Sequence, residues 1–464
     1  MSRGVRRSLG VVLASLLAAI GSLVTTATPA AANGATTATI HYWNDTLLEA
    51  FRRQGGGPGP LARAAAMMHT GIFDIFTGAR WVDQNGRGSG YRGYTVGPSD
   101  TECLSSLGIS INEDLAAGFA ARDLLIDALP AQRTYVEGRF TARYGTPSPF
   151  DVDAAAARCV VDRMRSLRGN DGANATPSYV KDNTPGAWRE TENFCAAPVT
   201  PHWGSVLPFV TGTSQFRPAP PGGHTTYATL LASELYANQL KEVKDLGRVD
   251  STIRTDDQTQ AAWFWANDLD RTYKPPGQLL AHTRIVAAAK FTDVATAPIN
   301  TARLFARVSL AMADASIAAW DRKYRTSIDL WRPETAIHLA DTDNNPATDR
   351  EDTWQPLSAN EQGVHFSPCF PAWMSGHATF AGAWAGVMRT EFGDSAGTFT
   401  LTTEDPHASG VVRSFSSFTA AATENAFSRI YLGVHFRFDG TDGLATGLSI
   451  GEHVTQNTFA FVNV

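Results

Sequence analysis

Charge, cysteine and strand-type alternation are all scarce in this 464-residue sequence. Charged side chains make up 18% of it and hydrophobic ones 43%. That balance excludes a disordered chain and leaves ample material for a large core. The formal net charge is −6. Beyond Arg3, Arg6 and Arg7 no basic block remains, so nucleic acid is not an expected partner. There are four cysteines, Cys103, Cys159, Cys195 and Cys369, with no Cys-x-x-Cys pair and no Cys/His zinc spacing. After residue 32 no segment holds 18 uninterrupted apolar residues, so no membrane contact is expected beyond export. A Walker A loop and a His-Glu-x-x-His helix are both missing. No internal repeat of fixed period occurs.

What is present begins with residues 1–32. Arg3, Arg6 and Arg7 form a basic start, Leu9 to Val24 an apolar run, and Ala30-Ala31-Ala32 a small-residue cleavage site. This reads as a signal peptide, and the mature protein is expected to be secreted. Removing those three arginines takes the formal charge from −6 to −9. In an oxidising compartment four cysteines permit two disulfides, in any of three pairings.

Apolar spacing predicts helices over 43–53, 61–78, 113–128, 151–167, 227–245 and 258–272, with a breaker at Gly55–Pro60. Residues 168–226, rich in Gly, Pro, Asn and Thr, predict a long surface excursion. Asn300 is the expected cap of a helix running to Trp320 and Lys323. Further helices are expected from Ser375, from Ser417 to about Tyr431, and from Asp439 or Thr441 to near Phe461. Residues 341–368 read as a loop. Within it Asp341, Asp343, Asn345 and Asp352 fall at positions 1, 3, 5 and 12 of a calcium-loop pattern. Position 6 is Pro346 instead of Gly, so a solvated acidic loop is the expectation. The fold class is all-α: helical bundles with long loop excursions. An N-terminal helical region covers 33–299, and a C-terminal bundle carrying the active site covers 300–464.

Three segments in the last third carry chemistry. Lys323, Arg325 and Arg332 place three cations within ten residues. Pro333 is expected to break the helix beside Arg332 and turn its guanidinium, a natural fork for a tetrahedral oxyanion, off the axis. In Ser375-Gly376-His377 a helix begins, and its unpaired backbone N–H groups favour an anion. Ser375 adds a hydroxyl, and His377 a group that exchanges a proton near neutral pH. In the third segment, Ser428 to Asp439, Arg429 precedes His435 by six and Asp439 follows it by four. A carboxylate behind a histidine fixes its tautomer and raises its basicity, which suits a metal ligand or a nucleophile. The other histidines weighed, including His69, His282 and His407, have no supporting pattern and read as structural or surface residues.

Together these segments resemble the three active-site motifs of the vanadium-dependent haloperoxidases, which share a helical fold with the type 2 phosphatidic acid phosphatase superfamily. Ser428-Arg429 through His435 to Asp439 matches the third motif, Ser375-Gly376-His377 the second and Arg332-Pro333 the first. Trp43-Asn44-Asp45 and Trp203-Gly204 with Gln215-Phe216-Arg217-Pro218 resemble bacterial members upstream. Two departures stand out. Met374 replaces the usual Pro before the serine. The first motif usually spaces Lys and Arg by six residues, a gap that Arg325 keeps and Lys323 exceeds. Lys323 takes the lysine role because Trp320 precedes it by three, as in the fungal chloroperoxidase, with Arg325 as the alternative.

The resemblance implies a vanadate cofactor with His435 as vanadium ligand. Lys323, Arg332 and Arg429 would balance the charge of its oxygens, and Ser375 and the Gly376 N–H would bond others. His377 would be the acid–base group. It also implies hydrogen peroxide and a halide as substrates, with a small organic acceptor. Trp320 and Phe370 match aromatic positions of a halide pocket and lean towards chloroperoxidase-like surroundings. Bromide, which is easier to oxidise, is the expected halide, with chloride the harder extension. Phosphate shares the shape and charge of vanadate. An acid phosphatase with His435 as nucleophile, Asp439 as its orienter and His377 as acid is therefore the alternative.

Overall fold

The computed structural model describes residues 36–81, 89–97, 111–148, 150–191, 195, 197–212, 215–395 and 397–463. The signal sequence read at 1–32 and Cys103 lie outside them. The described chain is built from fourteen α-helices and two small antiparallel sheets, as the scarcity of strand alternation led us to expect.

Five helices form the N-terminal part: α1 (Thr37–Gln54), α2 (Pro58–Trp81), α3 (Glu113–Ala128), α4 (Arg133–Tyr144) and α5 (Val152–Arg168). Local chemistry sets several starts. Thr36 accepts from the N–H of Thr39 at 3.1 Å, and Asn112 from Leu115 at 3.1 Å, each satisfying a donor that the first turn leaves unpaired. Pro58 opens α2 instead of ending α1, because proline at the first helical position gives up only an N–H that has no partner anyway.

The excursion at 168–226 contains only the single 3₁₀ turns Trp203–Ser205 and Pro221–Gly223 among its described residues. Beyond it the expected 227–245 helix is two: α6 (Tyr227–Leu231) and α7 (Glu234–Leu246). They divide where Ser233 caps the second by accepting from Tyr236 at 3.1 Å. The expected 258–272 helix is α8 (Asp256–Phe264) and ends early. A tight loop follows, then α9 (Lys274–Lys290), which opens on Pro275-Pro276.

The central element is α10 (Ala297–Tyr324), about 42 Å long at 1.5 Å per residue and buried along most of its length. It starts at Ala297 with Pro298 in its first turn, so Asn300 lies inside it and caps nothing. It packs on α2 on one side and on α12 (Gly376–Phe392) and α14 (Arg437–Asn457) on another. The remaining helices are α11 (Pro333–His338) and α13 (Phe418–Tyr431). Pro333 starts α11 instead of breaking a helix, and Arg332 is the extended residue before it, φ −76° and ψ 156°.

The first sheet pairs β1 (Ser89–Tyr91) with β4 (Phe461–Asn463), Tyr91 opposite Phe461. The second is a pair of strands, β2 (Phe399–Thr402) and β3 (Val412–Phe415). The acidic loop at 341–352 is tied internally. Asp343 accepts from the Asn345 N–H at 2.8 Å and from Thr348 at 2.8 Å, while Asp341 pairs with Arg350 at 2.9 Å. Cys195 and Cys369 form a disulfide, Cα–Cα 5.3 Å, which selects among the three pairings.

The packing of α12 on α14 positions the site. Gly382 of α12 faces the Leu444 carbonyl, where a Cβ would lie 2.5 Å from the oxygen. Gly443 of α14 faces the Ser375 carbonyl at 2.8 Å, and Gly447 and Gly451 face those of Thr379 and Ala383. The helices therefore meet backbone to backbone, and their N-termini come together. The Ser375 N–H donates to the Asp439 carbonyl at 3.0 Å. Gly447→Ala is expected to cost about 1–3 kcal/mol through forced separation. Its midpoint in urea should drop while that of Gly138→Ala, on the open face of α4, should not. An unchanged midpoint for Gly447→Ala would show that the helices do not meet this closely.

Candidate oxyanion-binding site

His435 lies in the turn between α13 and α14. Its Nδ1 is 2.8 Å from Asp439 Oδ2, which also accepts from the Phe436 N–H at 3.0 Å. A carboxylate with two donors on one oxygen fixes the ring as the Nδ1–H tautomer, so Nε2 carries the lone pair. That Nε2 is 3.1 Å from Arg332 Nη1. Arg332 is fully buried and further anchored to the carbonyls of Phe370 at 2.7 Å and Val434 at 2.8 Å.

Arg429, in the last turn of α13, donates through Nη2 to Asp268 Oδ2 at 2.6 Å. Within this cluster three buried guanidinium nitrogens have no hydrogen-bond partner among the described residues: Arg332 Nη2, Arg429 Nε and Arg429 Nη1. Buried donors of this kind are costly unless something bonds them.

Lys323 lies at the end of α10, fully buried, its ammonium bonded to the carbonyls of Pro371 at 2.6 Å and Ala372 at 3.1 Å and 4.8 Å from the Phe370 ring. Arg325, its sequence alternative, is half exposed, bonded to Ser205 and 3.4 Å from Asp321. The structure places it outside the cluster. Ser375 caps α12, its Oγ accepting from the Ala378 N–H at 3.4 Å. His377 follows, with Nε2 2.9 Å from the Ala266 carbonyl and 3.7 Å from Asp268 Oδ1. Trp320 and Phe370 face each other, ring centroids 5.1 Å apart. His377, Gly376, Arg429, His435, Trp320 and Phe370 all line one cavity of about 400 Å³, and Lys323, Arg332 and Ser375 are buried beside these residues.

The electrostatics follow from three buried cations beside two carboxylates. Burial, with Arg332 as the next cause, pulls the Lys323 ammonium well below its usual range. Burial likewise brings Arg332 down to about 9, with Asp439 opposing and Arg429 adding to the fall. His377 is pushed down to about 4 by burial and then by Arg429, against the pull of Asp268. His435 is held well below 6.5 by burial and by Arg332, Lys323 and Arg429. Burial raises Asp439 to about 7, opposed by Lys323 and Arg332. Burial is the main cause at each of these cations, and at Lys323, Arg332, His377 and His435 neighbouring positive charge adds to it, a part that a bound anion would relieve.

Asp268 is the participant that sequence reasoning missed. The helix expected over 258–272 would have carried it past the site unnoticed. It sits instead in the loop between α8 and α9, where Asn267, Arg271 and Lys274 have φ of 44°, 67° and 59°. Buried Asp405 accepts from the Asn267 N–H at 3.0 Å, and Lys274 Nζ donates to the Asp268 carbonyl at 2.7 Å. Despite burial, His377, Arg429 and Lys274 keep the Asp268 carboxyl below its ordinary value. The available signal was Asn267-Asp268 followed by Pro275-Pro276, a turn and then a helix start.

Asp439→Asn tests the support behind His435. The amide no longer fixes the Nδ1–H tautomer as a carboxylate does. Affinity for an oxyanion held at Nε2 should fall by ~10–100-fold. Titration of the metal-free protein with vanadate would measure it, and an unchanged affinity would remove Asp439 from the site.

A buried cationic cradle around a carboxylate-backed histidine, set at the N-termini of packed helices, gives this all-α protein the charge and the free donors that suit an oxyanion. Residues 303–463 match the family model for the VCPO second helical-bundle domain. The chain is 28% identical over 284 residues to vanadium chloroperoxidase of Curvularia inaequalis, a match covering 50% of this chain and 44% of that one. It therefore spans less than half the length of that curated relative. The structure of the first bacterial vanadium-dependent iodoperoxidase superposes with TM-score 0.71 at 26% identity, covering 93% of this chain and 98% of that one. A holo-type bacterial vanadium-dependent chloroperoxidase shares the fold, with TM-score 0.61 at 16% identity over 93% and 96% of the two chains. The chain is thus similar to vanadium haloperoxidases, through its C-terminal bundle in sequence and through most of its length in fold.

Proposed function

We propose that the protein is a vanadate-dependent haloperoxidase that oxidises bromide with hydrogen peroxide to a hypohalous-acid equivalent, with chloride as the harder substrate. The observation that carries this reading is the set of three buried, unpartnered guanidinium nitrogens flanking a histidine whose Nε2 lone pair is fixed by Asp439. These residues fit a tetrahedral oxyanion. Among the described residues no cluster of three or more His, Cys, Asp or Glu side chains offers a cation cage instead.

When bound, vanadate supplies Lewis acidity that activates peroxide towards halide without redox change at the protein. His435 Nε2 would hold the vanadium. Arg332 and Arg429 would donate to its oxygens, with Lys323 adding positive charge from behind the Phe370 segment. Ser375 Oγ and the Gly376 N–H at the start of α12 would donate to others. With Nε2–H directed at the Ala266 carbonyl, His377 would take up a proton at Nδ1, and its lowered pKa keeps that atom free to do so near neutral pH. Trp320 and Phe370 would shape the halide approach. We further propose that the enzyme works outside the cytoplasm, a reading supported by the Cys195–Cys369 disulfide.

The test is reconstitution. Metal-stripped protein is assayed for bromination of a dye with hydrogen peroxide, before and after addition of orthovanadate. Hydrolysis of an aryl phosphate by the metal-free form is followed alongside. Bromination that depends on vanadate is the expected result. Robust phosphatase activity with no bromination would overturn it and make His435 a nucleophile.

A further inference from the structure

Three consecutive loop residues support the site from behind. The Ala266 carbonyl is 2.9 Å from His377 Nε2, and the Asp268 carboxylate is 2.6 Å from Arg429 Nη2. Between them Asn267 is fully buried with φ 44°, a left-handed backbone that is uncommon outside glycine. What holds it there lies 138 residues along the chain. Asp405, only 1% exposed, accepts from the Asn267 N–H through Oδ2 at 3.0 Å. Its Oδ1 closes a turn of its own, 3.0 Å from the His407 N–H and 3.1 Å from the His407 ring Nδ1. The neighbours of Asp405 complete the clasp. Asn267 Nδ2 donates to Thr403 Oγ1 at 3.1 Å, and the Glu404 N–H donates to Asn267 Oδ1 at 3.2 Å. The turn at His407 needs one acceptor oxygen, which a serine hydroxyl could supply. The second oxygen reaches Asn267 even though burial raises the Asp405 carboxyl above its ordinary range.

We infer that Asp405 is a positioning residue of the oxyanion site. By pinning the Asn267 N–H it fixes both neighbours of that residue, so that the Ala266 carbonyl meets His377 and the Asp268 carboxylate meets Arg429. A carbonyl only accepts, so His377 carries its proton on Nε2 and leaves Nδ1 unprotonated. Asp268 in turn holds the Arg429 fork with Nε and Nη1 free for the oxyanion. Asp405 itself touches neither His377 nor the cradle and acts through the loop alone. This deepens the proposed function, and rests on it where His377 is taken as the acid–base group.

Asp405→Ser separates the two tasks of the carboxylate, because serine can close the turn at His407 but is too short to reach Asn267. The probe is inorganic phosphate, bound to metal-free protein labelled with ¹⁵N at histidine. The wild-type His377 ring, assigned by its loss in His377→Gln, should show the Nε2–H tautomer alone. Asp405→Ser should show both tautomers, and its phosphate affinity should fall by about tenfold, the lower end of what losing a residue behind a ligand costs. Asp405→Asn, whose amide oxygen still accepts from the Asn267 N–H, should keep the wild-type tautomer and most of the affinity. Thr403→Val removes only the hydroxyl shared by Asn267 Nδ2 and the Asp405 N–H. It should move both readouts the same way to a smaller extent, and it carries the test if Asp405→Ser fails to fold. A lower urea midpoint with tautomer and affinity unchanged would overturn the inference and leave Asp405 a purely structural residue. Bromination by vanadate-loaded wild type is followed separately. Its absence, with the tautomer shift present, would overturn the haloperoxidase reading and leave Asp405 as the positioner of an oxyanion site.

Discussion

His435→Ala is expected to abolish vanadate retention. Wild-type protein passed through a desalting column after loading should keep stoichiometric vanadium, and the variant should keep none. Two physical facts carry the expectation. The Nε2 lone pair of His435 is directed at the cradle by a fixed tautomer, with Asp439 at 2.8 Å behind Nδ1. The surrounding donors, Arg332 Nη2 and Arg429 Nε and Nη1, bond oxygens and do not replace a bond to the metal. Loss of the ligand should therefore exceed the ~10–100-fold that follows from losing a residue behind a ligand. Inorganic phosphate, held by donors alone in the metal-free protein, should lose much less. That contrast separates a ligand from a shape defect. A variant that retains vanadium would remove His435 from coordination, and one that loses phosphate and vanadate equally would show only that the cradle had collapsed.

How far the sequence reached depended on whether a feature was local. Helix α3 was legible from its apolar spacing, and its expected limits match those observed. Ser375 and Ser417 each announced a helix and each caps one, through Ala378 and Ala420. The Nδ1 partner of His435 was legible too, since a spacing of four spans the start of one helix. The choice between Lys323 and Arg325 was not. Both are cations near the end of α10, and only the direction of each side chain buries one and exposes the other. Asp268 was hidden for a different reason. Its loop depends on left-handed backbone at Asn267 and Arg271 held by Asp405, far along the chain, and Arg271 has no local tendency to turn that way. The role of the α14 glycines, which is to let α12 approach, shows only in the packing of the two helices.

Arg429→Met is expected to lower oxyanion affinity by ~10²-fold or more and to destabilise the metal-free protein by about 1–3 kcal/mol, less than a fully buried pair would cost because the Asp268 side chain stays 24% exposed. Arg429 does two jobs that the geometry ties together. Through Nη2 it neutralises Asp268 at 2.6 Å, and through Nε and Nη1 it presents two buried donors to the cradle. Removing it leaves the Asp268 carboxylate facing His377 at 3.7 Å. Asp268 pulls the His377 pKa up and Arg429 pushes it down, so the variant should raise it from about 4 and draw the two into a pair. The sign is set by the loss of a cation, not by a change in burial. Adding Asp268→Asn to the variant separates the two jobs, as a double-mutant cycle does for contacting groups. The double variant should regain most of the stability, because the unpaired carboxylate is gone, yet phosphate and vanadate should bind as weakly as in Arg429→Met. If it regains the affinity as well, Arg429 matters only as the partner of Asp268, and the two unpartnered nitrogens play no part in holding the oxyanion.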